Sequence, residues 1–352
     1  MICAEQRNNI GLCLTEEKPE NFNGYLRFFA YFCSRKEIFI MNQFLYKLLY
    51  HAARLFSRLP FRVLYILSDF VFFIAYCCIG YRRKVVQTNL RNSFPNKSKA
   101  ELSEIERKFY HNLCDYFFET IKLLDMNEKE MLKHFKVENV GVIDEALNNG
   151  RNVVLYLSHT FNWEWLVSMK LFVNSQNEDV ILGQIYHPLE NKYFDQLFLD
   201  IRSVFGQKNI AMSDTLRALI RLKNDNKNFF IGSIADQVPI WSAIGGFVDF
   251  MHQDTAVLSG SERISRKFNA VVTYGEMIKE SRGKYRCVVS KICDDTKQLP
   301  DFEITRIFFE KLQASLEKDP ANWLWSHRRW KRTREGYEQF LRDKKISKQY
   351  QG

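Results

Sequence analysis

The sequence predicts an α/β domain, a largely parallel sheet flanked by helices, with a membrane-associated helical segment on its N-terminal side. After residue 150, apolar runs of strand length alternate with helical segments, the pattern of βα units packed on a parallel sheet. Ahead of them, Val63 to Tyr81 reads VLYILSDFVFFIAYCCIGY, nineteen residues with the single charge Asp69. The net charge of +10 is concentrated at the two ends: residues 41–99 hold ten Lys/Arg against Asp69 alone, and residues 323–352 hold nine against three acids. Such basic ends suit an anionic membrane surface or lipid phosphates. They are not accompanied by a Cys/His finger spacing or an RRM-type aromatic signature, which argues against a nucleic-acid partner. The 30 Phe and 15% aromatic content fit contact with lipid or acyl chains, and equally an aromatic-rich core.

Residues 1–40 mix Gln, Asn and Glu with a Phe/Tyr patch at 22–40 and break in composition from the rest of the chain. They are expected to be a non-native or poorly ordered extension, with Met41 the natural start. Met41 opens an amphipathic stretch with interleaved Lys and Arg, so residues 41–97 form the membrane-associated segment, 98–335 the main domain and 336–352 a basic tail. As a helix, residues 63–81 would extend about 28 Å, close to the hydrocarbon thickness of a bilayer. Basic residues flank both ends, Arg58 and Arg62 before and Arg82, Arg83 and Lys84 after, so charge gives no orientation. A spanning helix, one lying in the interface and a buried core helix all fit.

Residues 98–132 read as helix, acidic early (Glu101, Glu104, Glu106) with an aromatic face at Phe109, Tyr110, Tyr116, Phe117 and Phe118. Strands are expected at Val153–Leu157, Val180–Ile185, Phe229–Ile234, Val271–Gly275 and Tyr285–Ser290, and helices at 189–204, 214–224, 254–267 and 302–317. The eight cysteines show no C-x-x-C pair or framework spacing, which argues against a disulfide scaffold or zinc site and for a reducing compartment.

The sharpest local feature is SHTFNWEW, residues 158–165, directly after the strand-like NVVLYL. Five residues turn a helix by about 500°, so His159 and Glu164 would not share a helix face, whereas a strand-end turn brings them together. Chemistry in α/β folds gathers beyond the carboxyl ends of strands. A carboxylate on one imidazole nitrogen fixes the tautomer and leaves the other to take a proton from a hydroxyl. A purely structural role for the pair also fits, while one His with one carboxylate is too few for zinc.

SHTFNWEW resembles the H-x-x-x-x-D/E block of the glycerolipid acyltransferase superfamily, in the Asn-Trp-Glu form of the bacterial lipid A biosynthesis (lauroyl/myristoyl) acyltransferases. Three further blocks resemble the same family in order: YHPLENKYFDQLFLDIRSVFG at 186–206, SIADQVP at 233–239 and NWLWSHRRWK at 322–331. The apolar segment followed by RKVVQTNLRNSFP at 83–95 is similar to its N-terminal membrane region, so the resemblance runs over roughly residues 45–332. Phe161 departs from the family's common Gly and is expected to narrow or reshape the acyl site; His187 stands where many relatives carry Arg.

The resemblance implies a glycerolipid-acyltransferase-like fold and acyl transfer from a thioester, acyl carrier protein being the expected donor, to a hydroxyl of a lipid A precursor. It places the reaction at the cytoplasmic face of a bacterial inner membrane, in lipopolysaccharide synthesis, with no cofactor, metal or covalent enzyme intermediate. His159 would be the general base and Glu164 its orienter. Asn162, Arg202, Asp236 and Gln237 are the expected substrate-binding residues, Asn162 bonding within the motif turn and Asp236 holding Arg202 or a substrate hydroxyl. The basic cluster His327, Arg328, Arg329, Lys331, Arg332 and Arg334 is expected to face the membrane, with Trp323, Trp325 and Trp330 as core or interfacial anchors. Rival readings are transfer to a lysophospholipid, aminolipid or glycolipid, and a catalytically silent membrane-binding protein of the same fold.

Overall fold

The computed structural model describes residues 43–177 and 179–349, so the expectation for residues 1–40 lies outside the described residues. The chain opens with α1 (Gln43–Ser57) and α2 (Phe61–Phe72). Pro60 precedes α2 with φ −60°, already set for helix entry. A π-helical turn, Phe73–Ile79, prolongs α2 and ends at Gly80, whose φ of 64° suits a residue without Cβ. Then come α3 (Arg83–Ser93) and α4 (Lys99–Lys122), the latter started by a capping box between Ser98 and Glu101. The helical reading of 98–132 divides here: α4 is succeeded by a 3₁₀ turn at Leu123–Asp125 and by α5 (Glu128–His134), which Asn127 caps.

The sheet region begins with β1 (Phe135–Glu138), α6 (Gly141–Asn148), β2 (Val153–Leu157), β3 (Val180–Tyr186), α7 (Lys192–Ser203), β4 (Lys208–Ala211), α8 (Thr215–Asn224) and β5 (Asn228–Ile234). The second half holds β6 (Ile244–Phe250), β7 (Gln253–Leu258), α9 (Gly260–Lys267), β8 (Val271–Ser281), β9 (Lys284–Cys293), α10 (Glu303–Lys318) and α11 (Arg334–Gln349). Seven strands pair in the order β1-β9-β8-β2-β5-β3-β4, all parallel except the β8–β9 hairpin. The five expected strands are all present, and β2 is buried along its whole length, as the run VVLYL demands of a strand covered on both faces.

The helix expected at 254–267 is half strand. Residues 253–258 form β7, paired antiparallel with β6, and α9 begins only at Gly260. The hairpin turns at Met251 and His252, both at positive φ (54° and 61°) where Asn-Gly is usual, so no turn signal marks it in the sequence. The tail expected at 336–352 lies mostly within α11, whose Tyr337 and Phe340 rings lie beside Phe247 and Trp241.

By length and composition Phe61–Ile79 is apolar enough to cross a membrane. One flank of it is nonetheless docked by polar contacts: Tyr65 donates to Glu119 (3.0 Å), Ser68 to Asp115 (2.7 Å), and Arg282 bridges Asp69 and Asp115 at 2.6 Å each. The other flank is exposed and apolar, with Ile66, Phe70 and Phe73 each more than half accessible.

Candidate active site

Register builds the site. Leu157 pairs with Ile234 across the parallel β2–β5 ladder, and Ala235 N–H donates to the Leu157 carbonyl (3.0 Å). His159 and Asp236, each two residues past a paired strand end, are therefore brought face to face. On the far side of β2, a Cβ on Gly275 of β8 would come within 2.8 Å of Leu157, so glycine lets the strands close up directly behind the motif.

His159 Nδ1 lies 2.6 Å from Asp236 Oδ1, and the His159 backbone N–H donates to Oδ2 of the same carboxylate (2.9 Å). Trp323 adds a third hydrogen bond, its indole N–H donating to Oδ2 at 2.6 Å. Burial works to raise the Asp236 pKa, but the charge and hydrogen bonds of His159, with the Trp323 indole, outweigh it and bring it to about 2. A carboxylate ionised in this way accepts the Nδ1 proton, leaving the Nε2 lone pair outward. There Nε2 meets the Gln237 amide at 2.9 Å.

Glu164, expected to orient His159, takes a different partner. Asn162 caps the adjoining 3₁₀ helix (Trp163–Leu171) by accepting from Glu164 N–H (3.2 Å), which turns the Glu164 side chain away from β5 toward α7. Its carboxylate receives Arg202 bidentately, Nε at 2.9 Å and Nη2 at 2.6 Å, with the Trp163 indole at 3.2 Å and Tyr116 at 3.4 Å. Asp236 does not hold Arg202, contrary to the expectation from sequence; the two carboxylates exchange the expected partners. Asn162 also reaches Glu119, a fully buried carboxylate that accepts from Asn162 (3.0 Å), Tyr285 (2.8 Å) and Tyr65 of α2. Burial raises the Glu119 pKa, opposed by Lys279 and by the hydrogen bonds from Asn162 and Tyr285.

Phe161 is wholly buried, its ring set among Phe109, Tyr116 and Trp163, so it anchors the turn in the core. His187 is exposed, its Nδ1 2.8 Å from the Pro188 carbonyl. Among the described residues no group of three or more His, Cys, Asp or Glu is placed to hold a metal ion.

Residues 34–332 match the family described as bacterial lipid A biosynthesis acyltransferase. The chain belongs to that family. No curated protein sequence matches it. As a lipid A acyltransferase family member, the protein is an acyltransferase whose family chemistry is acyl transfer to a lipid. Two members of the site escaped sequence reading. Trp323 gave a signal only as part of a tryptophan-rich block, and Glu119 only as an acid directly after the Tyr116-Phe117-Phe118 run.

The Glu164–Arg202 pair makes a prediction that separates fold from chemistry. Arg202→Met leaves a carboxylate that is 3% exposed facing a lost cation. It is expected to cost about 3–5 kcal/mol of stability, read as an earlier midpoint in denaturant. An unchanged midpoint with lost turnover would instead place Arg202 on the substrate.

Proposed function

We propose that this protein moves a fatty acyl group from an acyl carrier protein thioester to a hydroxyl of a lipid A precursor, at the cytoplasmic face of a bacterial inner membrane. The observation that carries the reading is the Asp236–His159–Gln237 chain at the carboxyl ends of β2 and β5, in a member of an acyltransferase family. Asp236 fixes His159 with its proton on Nδ1. The acceptor hydroxyl displaces the Gln237 amide from Nε2 and gives that nitrogen its proton as the oxygen attacks the thioester carbonyl. Collapse of the tetrahedral intermediate expels the thiolate, which recovers the proton from the imidazolium. Ester forms, thioester breaks, and no covalent enzyme intermediate is needed. Arg202 and Glu164 shape the wall beside the base, and Asn162 and Glu119 hold the turn. The test is single-turnover transfer of labelled acyl chains from acyl carrier protein to purified lipid A precursor. Label appearing in the precursor as a hydroxyl ester supports the reading; label retained on the carrier by folded enzyme contradicts it.

The polar docking of α2 supports a helix lying in the interface. A segment tied to the body through Tyr65, Ser68 and Asp69 keeps its apolar flank toward acyl chains without leaving the domain. Alkaline carbonate is expected to release much of the protein from membranes. Full resistance to carbonate would support a spanning helix instead.

A further inference from the structure

Of the basic cluster after Trp323, Arg328, Lys331 and Arg334 are exposed, whereas Arg329 turns inward. Arg329 is 1% exposed, and its three guanidinium nitrogens have no hydrogen-bond partner; its group lies 5.6 Å from the Phe309 ring centroid. Burial lowers its pKa to about 10, opposed by the charge of Asp236, which places this cation within the field of the His159 holder. His327, half-buried, is pushed down to about 4 by desolvation and then by His159 itself. Both ends of the segment are anchored, the first of them at the His159 holder. Trp323 bonds Asp236, while Arg332 packs its guanidinium 4.3 Å from the ring centroid of Trp241, four residues past Gln237. Arg82, at the start of α3, joins the same place by donating to the Ser326 carbonyl (3.1 Å).

Arg82, Arg328, Arg329, Lys331 and Arg332 thus lie on or against one short segment, and among the described residues none of them forms an ion pair. Their sequence neighbours Arg83 and Arg334 do, with Glu106 and Asp254 at 2.7 and 2.8 Å. Burial, and then the charges of Arg332, Arg328 and Arg82, lower the pKa of Lys331. A buried guanidinium without a partner is costly unless an anion answers it, and clustered arginines are suited to bidentate recognition of phosphate.

We infer that Arg82, Arg328, Lys331 and Arg332, backed by buried Arg329, form a binding wall beside His159 for a phosphate ester carried by one of the two substrates. This rests on the proposed acyl transfer, with the phosphate belonging either to the acceptor glycolipid or to the phosphopantetheine arm of the donor. Arg82→Ala and Lys331→Ala, both at exposed positions, test it in the full-length protein in detergent. The first readout is binding of inorganic phosphate, monitored by nuclear magnetic resonance of the histidine side chains. Wild type and His159→Ala are expected to bind it and the two variants to bind at least about tenfold more weakly.

The second readout is the ratio of kcat/KM for phosphorylated over dephosphorylated acceptor, and for acyl-phosphopantetheine over acyl-N-acetylcysteamine. One of these ratios is expected to fall about tenfold in each variant, and the arm on which it falls names the source. Both ratios unchanged, with transfer intact, overturns the inference. So does weaker binding to anionic phosphatidylglycerol vesicles with both ratios unchanged, which would make the wall a membrane patch. Phosphate binding in a protein that transfers no acyl group would keep the wall and remove the acyl-transfer reading.

Discussion

Replacing His159 with Ala is expected to lower single-turnover acyl transfer by about two to four orders of magnitude, in a protein that folds like wild type. His159 is the proposed base, its Nδ1 held by Asp236 and its Nε2 2.9 Å from the Gln237 amide that the acceptor would displace. Its side chain is 15% exposed and lies past the end of β2, outside the strand ladder, so its loss leaves the sheet pairing in place. Near-normal transfer by the Ala variant would remove His159 from the chemistry.

Asp236→Asn is expected to cost about 10³–10⁴ in turnover, the loss seen when a carboxylate that fixes a catalytic imidazole becomes an amide. Asp236 accepts from three N–H groups, the His159 ring and backbone and the Trp323 indole, and an amide has one oxygen with which to do so. Its NH₂ faces a donor, favouring the imidazole tautomer with its proton on Nε2, where no hydroxyl proton can be taken. Glu164→Gln, which touches Arg202 and not His159, is expected to lose far less. Because His159 and Asp236 act as a unit, the double variant should fall little below His159→Ala alone. A larger loss in Glu164→Gln than in Asp236→Asn would restore Glu164 as the orienter.

The same substitution has a signature in acid. Asp236 holds a pKa of about 2 against an unfolded value near 3.9, so its ionisation stabilises the fold above the unfolded pKa, and that contribution is lost as pH falls through about 2. Asp236→Asn should therefore flatten the fall in stability between about pH 4 and pH 2, measured by denaturant unfolding at each pH.

The sheet was largely legible because its central strands are rich in apolar residues: Val153–Leu157 pairs side by side with Phe230–Ile234, and His159 and Asp236 lie just past their ends. What the sequence hid was which carboxylate reaches the imidazole. Glu164 is five residues from His159 and Asp236 seventy-seven, and only the Leu157–Ile234 register makes the distant one the neighbour. Local spacing favours the near acid, while strand pairing, a long-range property, decides for the far one. The β6–β7 hairpin was invisible for a local reason, its turn being made by Met251 and His252 without glycine or asparagine. Arg329 was misplaced because charge alone suggests solvent, whereas its guanidinium is drawn inside beside the Phe309 ring.

The indole that braces Asp236 lies 87 residues downstream of it. A chain still leaving the ribosome carries His159, Arg202 and Asp236 long before Trp323 emerges, and domains mature only as their last strands and helices arrive. Until then the Asp236 carboxylate lacks one of its three donors. Products that end before Trp323 lack the indole that completes the three hydrogen bonds on Asp236.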